Sequence, residues 1–132
     1  MSSIKVRLET IVDAMPALAV FAQKELPAKA AYRVAKLVRK MTAESSDYQK
    51  ARLEAFKQYG EKTMLKDERG QEQEGYRVKP ENQAACDAQL RALLDEEVDL
   101  EGCAMIQFAD IEKLELAPAV LADLDPFIEA PK

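Results

Sequence analysis

The sequence predicts an α+β fold that is predominantly helical. A long central helix packs with two or three shorter helices and a small antiparallel β-sheet or hairpin. Three observations predict it. Residues Pro27 to Gly60 contain no internal Gly or Pro, and their apolar positions recur at helical spacing. Further segments with the same period follow the punctuation of Pro80 and Pro118. Short runs near Ile4 and Val98 alternate apolar with polar residues, which is the period of a strand, and Met105-Ile106-Gln107-Phe108 resumes the extended run.

The central helix carries the argument. Val34, Val38, Met41, Tyr48, Ala51, Ala55 and Tyr59 fall at steps of three, four and seven, and Leu37 and Phe56 widen the stripe. Pro27 suits a helix start and Gly60 a helix end. At about 1.5 Å per residue such a helix is roughly 45–50 Å long. A domain of 132 residues does not cover a rod of that length on all sides, so the rod needs partners.

The other elements follow in chain order. Ile4, Val6 and Leu8 alternate with Lys5 and Arg7, a half-buried strand. Glu9 to Leu26 is helical in pattern. Its stripe is Ile11, Met15, Leu18 and Ala22, widened by Val12, Ala19 and Phe21. Pro16 inside it removes one backbone donor and predicts a kink or the true start. Pro27 then separates two neighbouring helices, an antiparallel or angled helical hairpin. Residues 61–79 are polar and carry Gly70 and Gly75; they form either a loop or a β-hairpin insertion within a single domain over 1–132. Glu81 to Glu96 reads as a helix with Cys86, Leu90, Leu93 and Leu94 on its apolar face. Asp95 to Phe108 reads as extended, broken by Gly102, with Met105–Phe108 closing a small sheet against the N-terminal strand. One helical turn over Asp110–Leu114 follows. Pro118 opens a last short helix with Val120, Leu121 and Leu124, Pro126 stops it, and Phe127-Ile128 anchor the end.

Composition excludes several chemistries. The chain has no histidine, so Ser-His-Asp and Cys-His nucleophile systems and His-ligated zinc are absent. Cys86 and Cys103 are not in a CxxC arrangement, and two cysteines do not make a disulfide framework; reduced thiols are expected. Neither GxxxxGK[ST] nor GxGxxG occurs. No apolar run approaches the ~18–20 residues that span a bilayer, and the first residues lack the apolar stretch of a signal peptide. The expectation is a cytoplasmic protein with no catalytic residues, no metal site, no cofactor and no small-molecule substrate.

Charge is distributed unevenly. Residues 1–66 hold thirteen Lys and Arg against seven Asp and Glu, whereas residues 67–132 hold six against seventeen. Lys29, Arg33, Lys36 and Lys40 follow a four-three-four spacing on one helix face, with Arg39 beside them. These five read either as a solvated face, as a face neutralised by the acidic half, or as phosphate contacts for nucleic acid. The run Asp95, Glu96, Glu97, Asp99 and Glu101 suggests a divalent-ion site at first sight. The calcium-loop pattern fails, because positions six and twelve from Asp95 are Leu100 and Ile106. An edge strand with an acidic outer face accounts for the run more simply. Tyr32, Tyr48, Phe56 and Tyr59 are spaced as packing residues.

Several short stretches resemble a known family. They are Met15-Pro16-Ala17-Leu18, Leu26-Pro27-Ala28-Lys29, Tyr59-Gly60-Glu61-Lys62, Asp67-Glu68-Arg69-Gly70 and Ala117-Pro118-Ala119-Val120-Leu121. In their order, this chain is similar to a family of small proteins from tailed bacteriophages and prophages that has no assigned function. The resemblance implies a phage or prophage origin, a bacterial host cytoplasm and a helix-rich α+β fold, and it carries over no site residues. Together these readings predict an accessory protein that binds another protein or itself. The alternatives are nucleic-acid binding through Lys29, Arg33, Lys36, Arg39 and Lys40, and a metal-dependent role for the acidic run.

Overall fold

The computed structural model describes residues 4–129. Strand β1 (Ile4–Arg7) leads directly into helix α1 (Leu8–Phe21). Helix α2 (Ala28–Tyr59) runs unbroken through Ser45 and Ser46. Strands β2 (Gly60–Lys66) and β3 (Glu72–Val78) form a hairpin. A short 3-10 turn at Pro80–Asn82 precedes α3 (Gln83–Leu94), and β4 (Glu97–Leu100) follows. The chain ends in β5 (Ile106–Gln107), the single turn α4 (Phe108–Ile111), α5 (Pro118–Leu124), a 3-10 turn at Asp125–Phe127 and β6 (Ile128–Glu129). The fold is α+β and predominantly helical.

The chain divides into two compact units, Met1–Ser45 with Glu96–Lys132, and Ser46–Asp95. Helix α2 gives its first half to one and its second half to the other.

The first unit is built around one apolar cluster. α1 contributes Ile11, Ala14, Ala17, Leu18 and Phe21, and α2 contributes Val34, Leu37 and Met41. Ile4, Leu100, Ile106, Leu124 and Phe127 close it from β1, β4, β5, α5 and the turn after α5. β1 and β4 pair antiparallel, with Lys5 opposite Asp99 and Arg7 opposite Glu97. These cross-strand pairs of opposite charge account for the acidic outer face of β4, at about 0.2–1 kcal/mol each. The Leu8 amide, one of the orphan donors at the start of α1, donates to the Glu96 carbonyl at 2.8 Å.

Several details differ from the sequence reading. The partner of β1 is β4, not the 105–108 segment, because β4 offers four residues in register and β5 only two. β5 instead pairs in parallel with β6, and Gln107 Nε2 donates to Glu129 Oε2 at 2.6 Å. α1 ends at Phe21, not Leu26; within it Ala14 and Ala17 take the buried positions and Ala19 is exposed, as is Ala22 just past its end. Pro16 lies inside α1, not at its start, and is exposed, so the backbone hydrogen bond it removes is lost on the solvent side. Pro27 precedes α2, and its carbonyl accepts from the Ala31 amide at 2.8 Å. The helix expected over Glu81–Glu96 is α3, shortened at both ends. In α5, Leu124 is fully buried and Leu121 is exposed. Phe127 is fully buried, as its anchoring role requires.

In the second unit the 61–79 segment takes the hairpin alternative. Asp67 Oδ1 accepts from the Arg69 and Gln71 amides at 2.9 Å each, closing the turn as an Asx cap. Gly70 sits at φ +78°, a conformation that a side chain disfavours. Lys62 and Glu74 form an exposed ion pair at 3.0 Å. At the junction of α2 and β2, the Tyr59 carbonyl accepts from Asn82 Nδ2 at 3.1 Å and from the Lys79 amide at 3.3 Å. These bonds satisfy an orphan carbonyl at the helix end. A Cβ on Gly60 would lie 2.5 Å from the Arg77 carbonyl oxygen and 2.7 Å from that of Phe56, so the strand leaves the helix with no room for a side chain.

Candidate functional site

The five basic residues are brought together as their spacing predicts. Lys29, Arg33, Lys36 and Arg39 are exposed on the first half of α2, and Lys40 is half-buried. From Lys29 to Lys40 the face extends about 16 Å at the helical rise. Among the described residues none of the five is paired with a carboxylate. Among the described residues the basic face therefore holds no direct ion pair.

Tyr32 belongs to this face. The sequence reading placed it with the packing aromatics, but the structure leaves it 64% exposed, while Tyr48 is buried and Phe56 and Tyr59 are half-buried. The signal was available. Tyr32 precedes Val34 by two residues, about 200° around the helix from the buried stripe. The Lys36 ammonium lies 5.6 Å from the Tyr32 ring centroid, a cation–π distance.

Lys36, Arg39, Lys40 and Ala43 line an open depression of about 440 Å³ with Glu101, Gly102 and Cys103. Glu101 adds a carboxylate to its rim. Cys103 is buried beneath it, and its thiol donates to the Lys36 carbonyl oxygen at 3.8 Å. Burial pushes the Cys103 pKa up, while the charges of Lys36 and Lys40 oppose that shift. The thiol is held neutral, which suits a packed group better than a nucleophile. Arg33 borders a separate small cleft that also contains Asp110, without an ion pair between them.

The acidic run is not gathered into a site. Asp95 pairs with Arg91 at 3.2 Å, Glu97 and Asp99 face their basic partners on β1, and Glu96 and Glu101 are exposed. Among the described residues no group of three Cys, Asp or Glu is placed to hold a metal ion. Cys86 and Cys103 are both buried free thiols. No helix among the described residues is long and apolar enough to cross a membrane.

The second unit presents a different kind of surface. Leu53 on α2 and Met64 and Leu65 on β2 are exposed at 45%, 55% and 42%. Phe56, Tyr59, Tyr76, Val78, Leu90, Leu93 and Leu94 are only half-buried. The hairpin is a two-stranded sheet, so among the described residues both its outer edges lack a strand partner. Sequence periodicity missed this, because a period identifies the apolar face and not the extent of its cover. Comparison of the chain with protein-family models, with curated proteins and with solved structures finds no match.

Proposed function

We propose that the protein is a non-catalytic accessory protein of a phage or prophage that acts in the host cytoplasm by associating with a protein surface, either another protein or a second copy of itself. One observation carries the reading. Of the twenty buried residues among those described, only Tyr48, Ala55 and Cys86 belong to the Ser46–Asp95 unit. A unit with so little buried apolar area is expected to gain cover by association, as small domains generally need more than their own core. The exposed Leu53, Met64 and Leu65 and the open hairpin edges supply contacts of the required kind. The resemblance to small phage proteins supports the origin alone, and the accessory role rests on the uncovered surface of this unit and on the missing catalytic equipment.

Light scattering over a range of concentrations tests self-association, and a pull-down from host lysate tests a foreign partner. The expected result is a concentration-dependent mass, or a retained protein, that Leu53→Ser, Met64→Ser and Leu65→Ser together weaken at least tenfold. A strict monomer that retains nothing from the lysate sinks the proposal.

A further inference from the structure

The basic face of α2 is not used by the association reading, and its geometry supports an independent role. We infer that the Lys29–Lys40 face binds the sugar–phosphate backbone of single-stranded nucleic acid, with Tyr32 stacking on a base. Lys29, Arg33, Lys36 and Lys40 succeed one another at about 4.5–6 Å along the helix axis. That interval lets consecutive phosphates of one extended strand each meet a cation. All five cations of the face lack carboxylate partners among the described residues, so binding a phosphate breaks no existing ion pair. Tyr32 points the same way. The residue is 64% exposed with its ring beside Lys36, so it offers a π-face to an unpaired base, a contact that a base inside a duplex does not make.

The surroundings set the limits of the site. Glu101 stands across the depression from Lys36, Arg39 and Lys40, and Asp110 stands near Arg33. Repulsion from these two carboxylates favours a backbone path along the solvent side of the helix. The chain as a whole carries a formal charge of −5, so diffuse attraction to a polyanion does not explain binding if it is found.

Fluorescence anisotropy of the full chain with a labelled 20-nucleotide single-stranded DNA decides the matter. Binding is expected at 50 mM salt. With four phosphates neutralised it weakens about fiftyfold on going to 200 mM. Arg33→Glu with Lys36→Glu abolishes binding at 50 mM salt, with the circular dichroism spectrum unchanged because both side chains are exposed. Tyr32→Ala weakens single-strand binding roughly tenfold without changing its salt dependence. Glu101→Gln tightens binding about threefold. No anisotropy change at 50 mM salt overturns the inference, as does binding that survives the double charge reversal. Equal affinity for a duplex of the same length, unaffected by Tyr32→Ala, overturns the single-strand assignment. Binding to phosphatidylserine vesicles with none to the oligonucleotide overturns it in favour of a membrane surface. None of these outcomes depends on self-association, which is read separately by light scattering.

Discussion

The two units hold their shape in different ways, although one helix runs through both. In the Met1–Ser45/Glu96–Lys132 unit, a cluster drawn from two long helices, three strands and the last helix buries Phe21, Leu18, Leu37 and Leu124 almost completely. In the Ser46–Asp95 unit three residues are buried, and the structure rests on local devices. These are the Asp67 turn, the Gly60 junction and the Asn82 bond to the end of α2. The apolar stripe of α2 keeps the same period in both halves. Periodicity thus identifies a face, whereas cover comes from distant segments that happen to return to it. The first half of α2 receives most of that return, and on the second half only Tyr48 and Ala55 are buried.

The strongest challenge to this comparison is a matched pair of truncations. Phe21→Ala removes a fully buried ring and is expected to cost about 3–5 kcal/mol. Leu90→Ala, at a half-buried position of α3, is expected to cost about 1–2 kcal/mol. Urea denaturation of both variants checks this, and equal losses would dissolve the distinction between the units.

A second test concerns local devices. Gly60→Ala drives a Cβ into two backbone carbonyls that have no flexible side chain to move aside, at a cost of about 1–3 kcal/mol. Because the clash is confined to the hairpin junction, hydrogen exchange should accelerate in β2 and β3 and stay unchanged in α1. Exchange that rises equally in α1 would mean that the second unit supports the first.

Gly70→Ala is expected to act more weakly, by about 1 kcal/mol, since the turn has open space for a methyl group and only the positive φ is penalised. The signature is again faster exchange in 60–78 alone. An unchanged exchange profile would show that the turn contributes nothing to hairpin stability.

Much of the fold was legible because it is local. The unbroken run from Pro27 to Gly60, the start of α5 at Pro118 and the alternation in Ile4–Leu8 each report a backbone preference within a few residues. Strand pairing was not legible in the same way. Glu97–Leu100 alternates and Met105–Phe108 is mostly apolar, so both read as strands, and nothing within either segment says which returns to β1. The opposed charges of Lys5 with Asp99 and Arg7 with Glu97 were the available clue, and they become visible only once the two segments are set in register. The basic face was legible from its four-three-four spacing. Its lack of internal acidic partners was not, because the net charge of each half says nothing about which surfaces meet. Tyr32 shares its residue type with the packing aromatics, and only its helical angle, two residues before Val34, sets it on the outer face.

The smallest expected effect lies at Cys103, in the well-buried unit. Burial raises the folded-state pKa of this thiol above its ordinary value of 9.0, against the opposing charges of Lys36 and Lys40. Between the unfolded and folded values the folded chain therefore holds more protons than the unfolded one, and the slope of stability with pH is negative there. The stability contributed by the neutral thiol is complete below pH 9.0 and is lost as pH rises through the raised folded value. Lysines and tyrosines titrate in the same range, so the measurement is a difference. Cys103→Ala shifts the stability by a constant at neutral pH, but its denaturation midpoint should fall less steeply than wild type above pH 9.0. If the two curves stay parallel up to pH 11, the thiol is not held in its neutral form by the packing around Lys36, and the first unit is more open at that point than its buried cluster implies.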